Sequence, residues 1–174
     1  SVSDLMSIIG YGPRHDFDSA IGYDLSLAPC VEQLKNAIRY PTNGLPALII
    51  GEPGTGKAML SHLMFDYGIN EGILPSKATY IAIDCADYIS DDERFANDLL
   101  GTKSHLGHLN KVSGGIVYLA DFECLSQVSR NLIFTHLRHT TDPSHDTPVT
   151  PSARIVLSTS LPPNDLIIRQ ITHL

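Results

Sequence analysis

One short segment restricts this chain more than any other. Gly51-Glu52-Pro53-Gly54-Thr55-Gly56-Lys57-Ala58 follows the apolar run Leu48-Ile49-Ile50 and precedes the helix-forming stretch Met59-Leu60-Ser61-His62-Leu63-Met64. Strand, glycine loop and helix in that order form a phosphate-binding loop. The glycines let successive backbone N–H groups face a phosphate, and the helix N-terminus adds about half a unit of positive charge. Lys57 is placed to reach the β- and γ-phosphates of a nucleotide. The competing reading is a structural Gly-rich turn, and both flanks argue against it. The last motif position requires Ser or Thr, whose hydroxyl holds Mg²⁺ beside the nucleotide. Ala58 stands there instead, so metal-dependent binding is expected to weaken.

The rest of the chain alternates strand and helix. Val31 to Tyr40 carries Val31, Leu34, Ala37 and Ile38 at helical spacing, and Pro41 with Asn43-Gly44 ends it in a turn. Ala47–Ile50 reads as a short, fully apolar strand, as expected at the centre of a parallel sheet, and Lys57 to about Asn70 as a helix. Tyr80-Ile81-Ala82-Ile83 is a second strand ending at Asp84-Cys85. A helix follows from Asp91 to Leu100, with Ser90 as its expected cap. Residues 101–115 read as a loop around a brief element, and Ile116–Ala120 as a third buried strand. Ser126 to His139 shows a helical stripe of Val128, Leu132, Ile133 and Leu137. Thr140 to Pro151 reads as a loop, Arg154–Ser158 as a fourth strand, and the segment after Pro162-Pro163 as a last helix. This alternation predicts an α/β fold with a parallel sheet, helices on both faces and ligands at the C-terminal strand ends.

Composition excludes several classes. The chain has 174 residues, enough for one α/β domain. A net charge of −7 provides no general attraction for nucleic acid, so DNA contact is expected only through other domains. Three cysteines with no CxxC spacing point to reduced thiols. No apolar run reaches the roughly 18–20 residues that span a bilayer, and no signal-peptide layout opens the chain, so a cytoplasmic place without membrane contact is expected. Ser1 at the start and an apolar pattern running to Leu174 suggest one piece of a longer protein: residues 1–20 as an N-terminal segment and 21–174 as the nucleotide-binding core. The pairs His105/His108 and His136/His139 have metal-ligand spacing, but no Cys or acid cluster completes either, so no metal site is assigned. Arg130, His136 and Arg138 read as a mildly basic helix end that suits the helix dipole.

A hydrolase of this type also needs acids at the end of a buried strand. Here Ile116-Val117-Tyr118-Leu119 leads into Ala120-Asp121-Phe122-Glu123. In one alignment Ala120 takes the metal-side position and Asp121 the catalytic one. In the other Asp121 is the metal-side acid, displaced by one residue. Such a slip turns it to the other face of the strand, which favours the first alignment. The alternative is that Asp121 and Glu123 are solvated loop acids. Asp84 ends its own strand, where it is expected either to face the nucleotide pocket or to be a polar strand end without a catalytic role.

With both elements in place, the chain resembles the AAA+ P-loop NTPase core of sigma-54-dependent transcriptional activators, of the levanase/mannose-operon type that also carries phosphotransferase-system regulatory domains. The resemblance rests on Phe17 to Leu27, on Val31-Glu32-Gln33-Leu34-Lys35-Asn36-Ala37 with Tyr40 to Leu45, on Asp84-Cys85-Ala86-Asp87-Tyr88, and on Ser113-Gly114-Gly115-Ile116-Val117-Tyr118-Leu119. It implies ATP or ADP as ligand, self-association through the core, and RNA polymerase or phosphotransferase-system proteins as partners of the full-length protein. The departures are four. Ala58 replaces the loop hydroxyl, and Ala120-Asp121 replaces the family's Asp-Glu. The stretch between Leu100 and Gly114 is too short for the sigma-contacting insertion. The paired arginines near the end appear as Arg169-Gln170. A sensor hydroxyl remains at Thr159 or Ser160. The helical lid is expected to be absent from this stretch. Three readings follow, in order: a nucleotide-binding regulatory domain with weak or no hydrolysis, an interaction module with a vestigial loop, and an ATPase using Asp121 as its sole acid.

Overall fold

The computed structural model describes residues 27–40, 44–141 and 153–165. The expected N-terminal segment, the turn residues Pro41 to Asn43, most of the loop before Ala153, and the final segment with Arg169-Gln170 lie outside the described residues. The elements in order are α1 (Ala28–Arg39), β1 (Ala47–Ile50), α2 (Lys57–Asn70), β2 (Tyr80–Asp84), a 3₁₀ turn (Cys85–Tyr88), α3 (Asp92–Leu100) and α4 (His108–Lys111). They continue with β3 (Ile116–Ala120), a second 3₁₀ turn (Phe122–Cys124), α5 (Gln127–Thr141) and β4 (Arg154–Thr159). The four strands form one parallel sheet in the order β1-β4-β3-β2. All loops that follow strands therefore open on one edge of it.

Strand periodicity sorts side chains onto two faces, and each face has its own apolar layer. On β3, Ile116 and Tyr118 pack with α1 and α2 residues such as Val31, Ile38, Leu63 and Met64. Val117 and Leu119 on the same strand pack the other way, with Phe95 and Leu99 of α3 and Ile133 of α5. On β4, Val156 joins the first layer, while Ile155 and Leu157 join the second. Burial on both faces explains why these strands read as unbroken apolar runs. Gly115 lets this sheet close at its far end: a Cβ there would lie 1.9 Å from the Thr79 carbonyl oxygen. That carbonyl accepts the Ile116 N–H that starts β3.

Several boundaries differ from the sequence reading. Helix α1 starts three residues early, because Pro29 sits in its first turn, where its missing N–H costs nothing. Ser90 does not cap α3. It takes a positive φ of 63°, and the Asp91 carboxylate caps the helix by accepting the Arg94 N–H at 3.2 Å. Helix α5 continues through Thr140 and Thr141. Val128 leaves its expected apolar stripe and is 67% exposed, while Ile133, Phe134 and Leu137 face the core. Arg130 is not at the basic helix end. It lies near the N-terminus of α5, and its Nη1 donates back to the carbonyls of Glu123 and Leu125. No helix among the described residues is long and apolar enough to cross a membrane.

Candidate phosphate-binding site

The loop after β1 is built for an anion. Gly56 is the N-cap of α2 in the left-handed region, φ 84°, a conformation that glycine adopts without a steric penalty. No side chain caps the helix and no acid occupies its first turn. The N–H donors of that turn, with the helix dipole behind them, are offered to a ligand rather than to the protein. A Cβ at Gly54 would meet nothing within 4 Å, so the mouth of the loop is open. The Thr55 hydroxyl donates to the Glu52 carbonyl at 2.7 Å and holds the loop's curl. The Gly51 N–H donates to the Thr159 carbonyl at 3.1 Å, tying the loop to the end of β4. These features fit a phosphate group.

Lys57 is in place but turned onto its own loop. Its Nζ donates to the Gly51 carbonyl at 2.6 Å, the Glu52 carbonyl at 2.9 Å and the Ser160 hydroxyl at 3.2 Å. That contact separates the two sensor candidates. Ser160 reaches the loop lysine, whereas Thr159 is fully buried and its Oγ1 accepts the Leu161 N–H at 3.0 Å. Ala58 lies exposed on the first turn of α2, and its carbonyl accepts the Ser61 hydroxyl at 2.7 Å. Ser61 also meets the Tyr80 hydroxyl at 2.6 Å, linking α2 to β2. Burial pushes the Tyr80 phenol up to about 12, partly offset by the Ser61 bond.

The acidic side of the crevice is arranged differently. Ala120 ends β3 and is paired in register with Asp84 at the end of β2. The Asp84 carboxylate is committed locally, accepting the Ala86 N–H at 3.0 Å. Asp121 follows in the left-handed conformation, φ 50° and ψ 53°, which Asp tolerates better than most residues. Its N–H donates to Ser158 Oγ at 3.4 Å, and Ser158 also meets the Tyr118 hydroxyl at 2.7 Å. Glu123 is not a solvated loop acid. It is half-buried, its Oε1 accepts the Ser160 N–H at 3.0 Å, and its Oε2 is enclosed without a partner. The sequence reading missed this role. The signal for it was faint: Glu123 lies two residues beyond the acid that the motif marks.

Of the first histidine pair, one member makes a local contact and the other is partly buried. His105 Nδ1 meets Ser104 Oγ at 2.9 Å, and burial lowers the pKa of His108, helped by Lys111. Among the described residues, no three His, Cys, Asp or Glu side chains come together as a metal site. Burial raises the thiol pKa of Cys85, which is fully enclosed.

Comparison with known proteins agrees with this geometry. Residues 20–169 match the family described as the Sigma-54 interaction domain. Over 123 residues the chain is 28% identical to the transcriptional regulatory protein LevR of Bacillus subtilis (strain 168), covering 66% of this chain and 13% of LevR. It is 29% identical over 138 residues to the transcriptional regulatory protein DagR of Salmonella typhimurium (strain 14028s / SGSC 2262), covering 73% of this chain and 14% of DagR. The chain thus corresponds to a small part of either relative's length. Among solved structures, NtrX from Brucella abortus superposes with a TM-score of 0.59 at 21% identity, covering 99% of this chain and 35% of NtrX. The same protein in complex with ATP gives 0.55 at 24% identity, covering 83% and 33%. At these identities the likeness concerns the fold, that of an AAA+ P-loop core.

Proposed function

The chain belongs to the Sigma-54 interaction domain family, and on that premise we propose that it binds ATP or ADP at Gly51, Glu52, Pro53, Gly54, Thr55, Gly56, Lys57 and Ala58, with hydrolysis weak or absent. One observation carries this reading. The uncapped, acid-free N-terminus of α2 and the Lys57 ammonium converge on an open loop, while Ala58 and Ala120 stand where metal-handling groups are required. The first-turn N–H groups would hold phosphate oxygens, and Lys57 would exchange its loop carbonyls for them. A bound nucleotide supplies the phosphoanhydride bond. Asp121 is the only acid directly after β3 and is the candidate to orient a water if turnover occurs.

Relatives named as transcriptional regulatory proteins support a place in a bacterial transcriptional regulator, and the control of sugar-uptake operons is carried by the sequence resemblance alone. In that setting residues 21–174 form the AAA+ core and self-associate. RNA polymerase or phosphotransferase-system proteins are then partners of the longer protein, and DNA is contacted by other domains. The alternative, an interaction module with a vestigial site, has the three internal bonds of Lys57 in its favour. Titration calorimetry with ATP and ADP, each with and without Mg²⁺, separates the readings. Binding indifferent to Mg²⁺ is expected. Binding that Mg²⁺ strengthens would favour a working ATPase, and no binding to either nucleotide would leave the interaction module.

A further inference from the structure

The carboxylate of Glu123 stands two contacts from the phosphate-loop lysine. Its Oε1 accepts the backbone N–H of Ser160 at 3.0 Å, and the hydroxyl of the same serine accepts from Lys57 Nζ at 3.2 Å. Arg130 holds the backbone beneath Glu123, its Nη1 donating to the carbonyls of Glu123 and Leu125. The second oxygen, Oε2, is enclosed without a partner. The carboxylate is thus half-buried, with Oε1 committed to the loop after β4.

We infer that Glu123 is a positioning residue for the phosphate loop: by fixing Ser160, it holds Lys57 in a latched position on the carbonyls of Gly51 and Glu52. Lys57 then has two competing sets of partners. One is Gly51, Glu52 and Ser160; the other is a phosphate. The latch makes phosphate entry compete with a preformed set of bonds, and it links the loop after β3 to the loop after β1 without a metal ion. Ser160 sits just beyond β4, the strand between them, so one backbone position serves both loops. The inference rests on reading Lys57 as the phosphate-binding lysine, but the latch itself is testable without nucleotide.

The test is the acylation rate of Lys57 by an amine-reactive ester in the intact chain, read by peptide mass spectrometry. The exposed lysines Lys77 and Lys103 serve as internal references. Ser160→Ala and Glu123→Ala should each raise the Lys57 rate several-fold relative to those references. Glu123→Gln keeps an acceptor oxygen for the Ser160 N–H and should retain the wild-type rate, which a general loss of packing would not explain. An unchanged Lys57 rate in Ser160→Ala or in Glu123→Ala overturns the latch. A rate in Glu123→Gln as high as in Glu123→Ala overturns it as well. Ser160→Ala removes one hydroxyl only and keeps the test decisive if Glu123→Ala does not fold. Adding ATP to the wild-type reaction tests the underlying reading separately. If the variants shift the rate but ATP does not change it, the latch stands and the nucleotide assignment fails.

Discussion

Two loops on one edge of the sheet have been treated differently. The loop after β1 has the features on which the proposed phosphate grip rests: a left-handed Gly56, an uncapped helix N-terminus and Lys57 folded against the loop. The loop after β3 has Ala120 at the strand end and a left-handed Asp121 behind it. Gripping a nucleotide needs fixed backbone donors and one cation, which the fold supplies through main-chain geometry. Handling Mg²⁺ needs particular side chains at particular positions, and single substitutions remove it. The contrast teaches that the two abilities are separable: the first is written into the backbone, the second into replaceable side chains.

The contrast breaks most directly at Lys57. Lys57→Ala should weaken ATP and ADP binding at least about tenfold, since a charge-assisted contact contributes about 1.5–3 kcal/mol. Equal affinity in calorimetry would mean that the first loop does not grip. Next in size, Ala58→Thr combined with Ala120→Asp should introduce Mg²⁺ dependence where none is expected of the natural chain, with binding roughly fivefold tighter in Mg²⁺ than in chelator. If the double variant stays indifferent to Mg²⁺, more than these two side chains has been lost. Smaller again, Tyr80→Phe removes the 2.6 Å contact with Ser61 behind the loop and should cost about 1 kcal/mol, a Tm fall of roughly 2–4 °C. Nucleotide affinity should hold steady in that variant, and a change there would show that the grip depends on packing behind the helix.

A pH test sharpens the stability side of the contrast away from both loops. Ser126 and Ser129 each donate to Asp92 Oδ1 at 2.5 Å and hold its carboxyl below the usual range. A depressed folded-state pKa contributes stability that is present above the unfolded value of about 3.9 and is lost as pH falls through the folded one. Ser129→Ala should therefore flatten the acid limb of a stability-versus-pH curve. The smallest expected effect is at Asp121. Asn also tolerates the left-handed region, so Asp121→Asn should change stability by less than about 0.5 kcal/mol and leave Mg²⁺-free binding intact. Any basal turnover abolished by that substitution would show that the β3 loop still performs chemistry.

Much of this was legible in the sequence because the relevant signals are local. The apolar runs at Ala47–Ile50 and Ile116–Ala120 mark strands, and the structure gives the same bounds, with β3 buried on both faces and β1 buried only at Ile49. Gly56 and Lys57 sit where the loop pattern places them. What escaped was decided by distant partners. Glu123 reads as a loop acid until β4 brings Ser160 against it. Thr159 and Ser160 could not be told apart until Lys57 touched one of them. Val128 fits a helical stripe, but the position of α3 beside α5 leaves it at the solvent edge. Ser90 has a capping side chain, yet the backbone turns one residue later and gives that role to Asp91.

The strand order has a consequence for the order of events during synthesis. Strand β1 emerges first among the four, and among the described residues the strand it pairs with is β4, the last of them to emerge. Strands β2 and β3 can pair as soon as both exist, whereas β1 must wait for more than a hundred intervening residues. On a ribosome, the strand that carries the phosphate loop therefore gains its partner among the described strands only when Arg154–Thr159 inserts between β1 and β3. Closure of that long interval is entropically slow, so the phosphate loop reaches its final setting late, after all four described strands have been made.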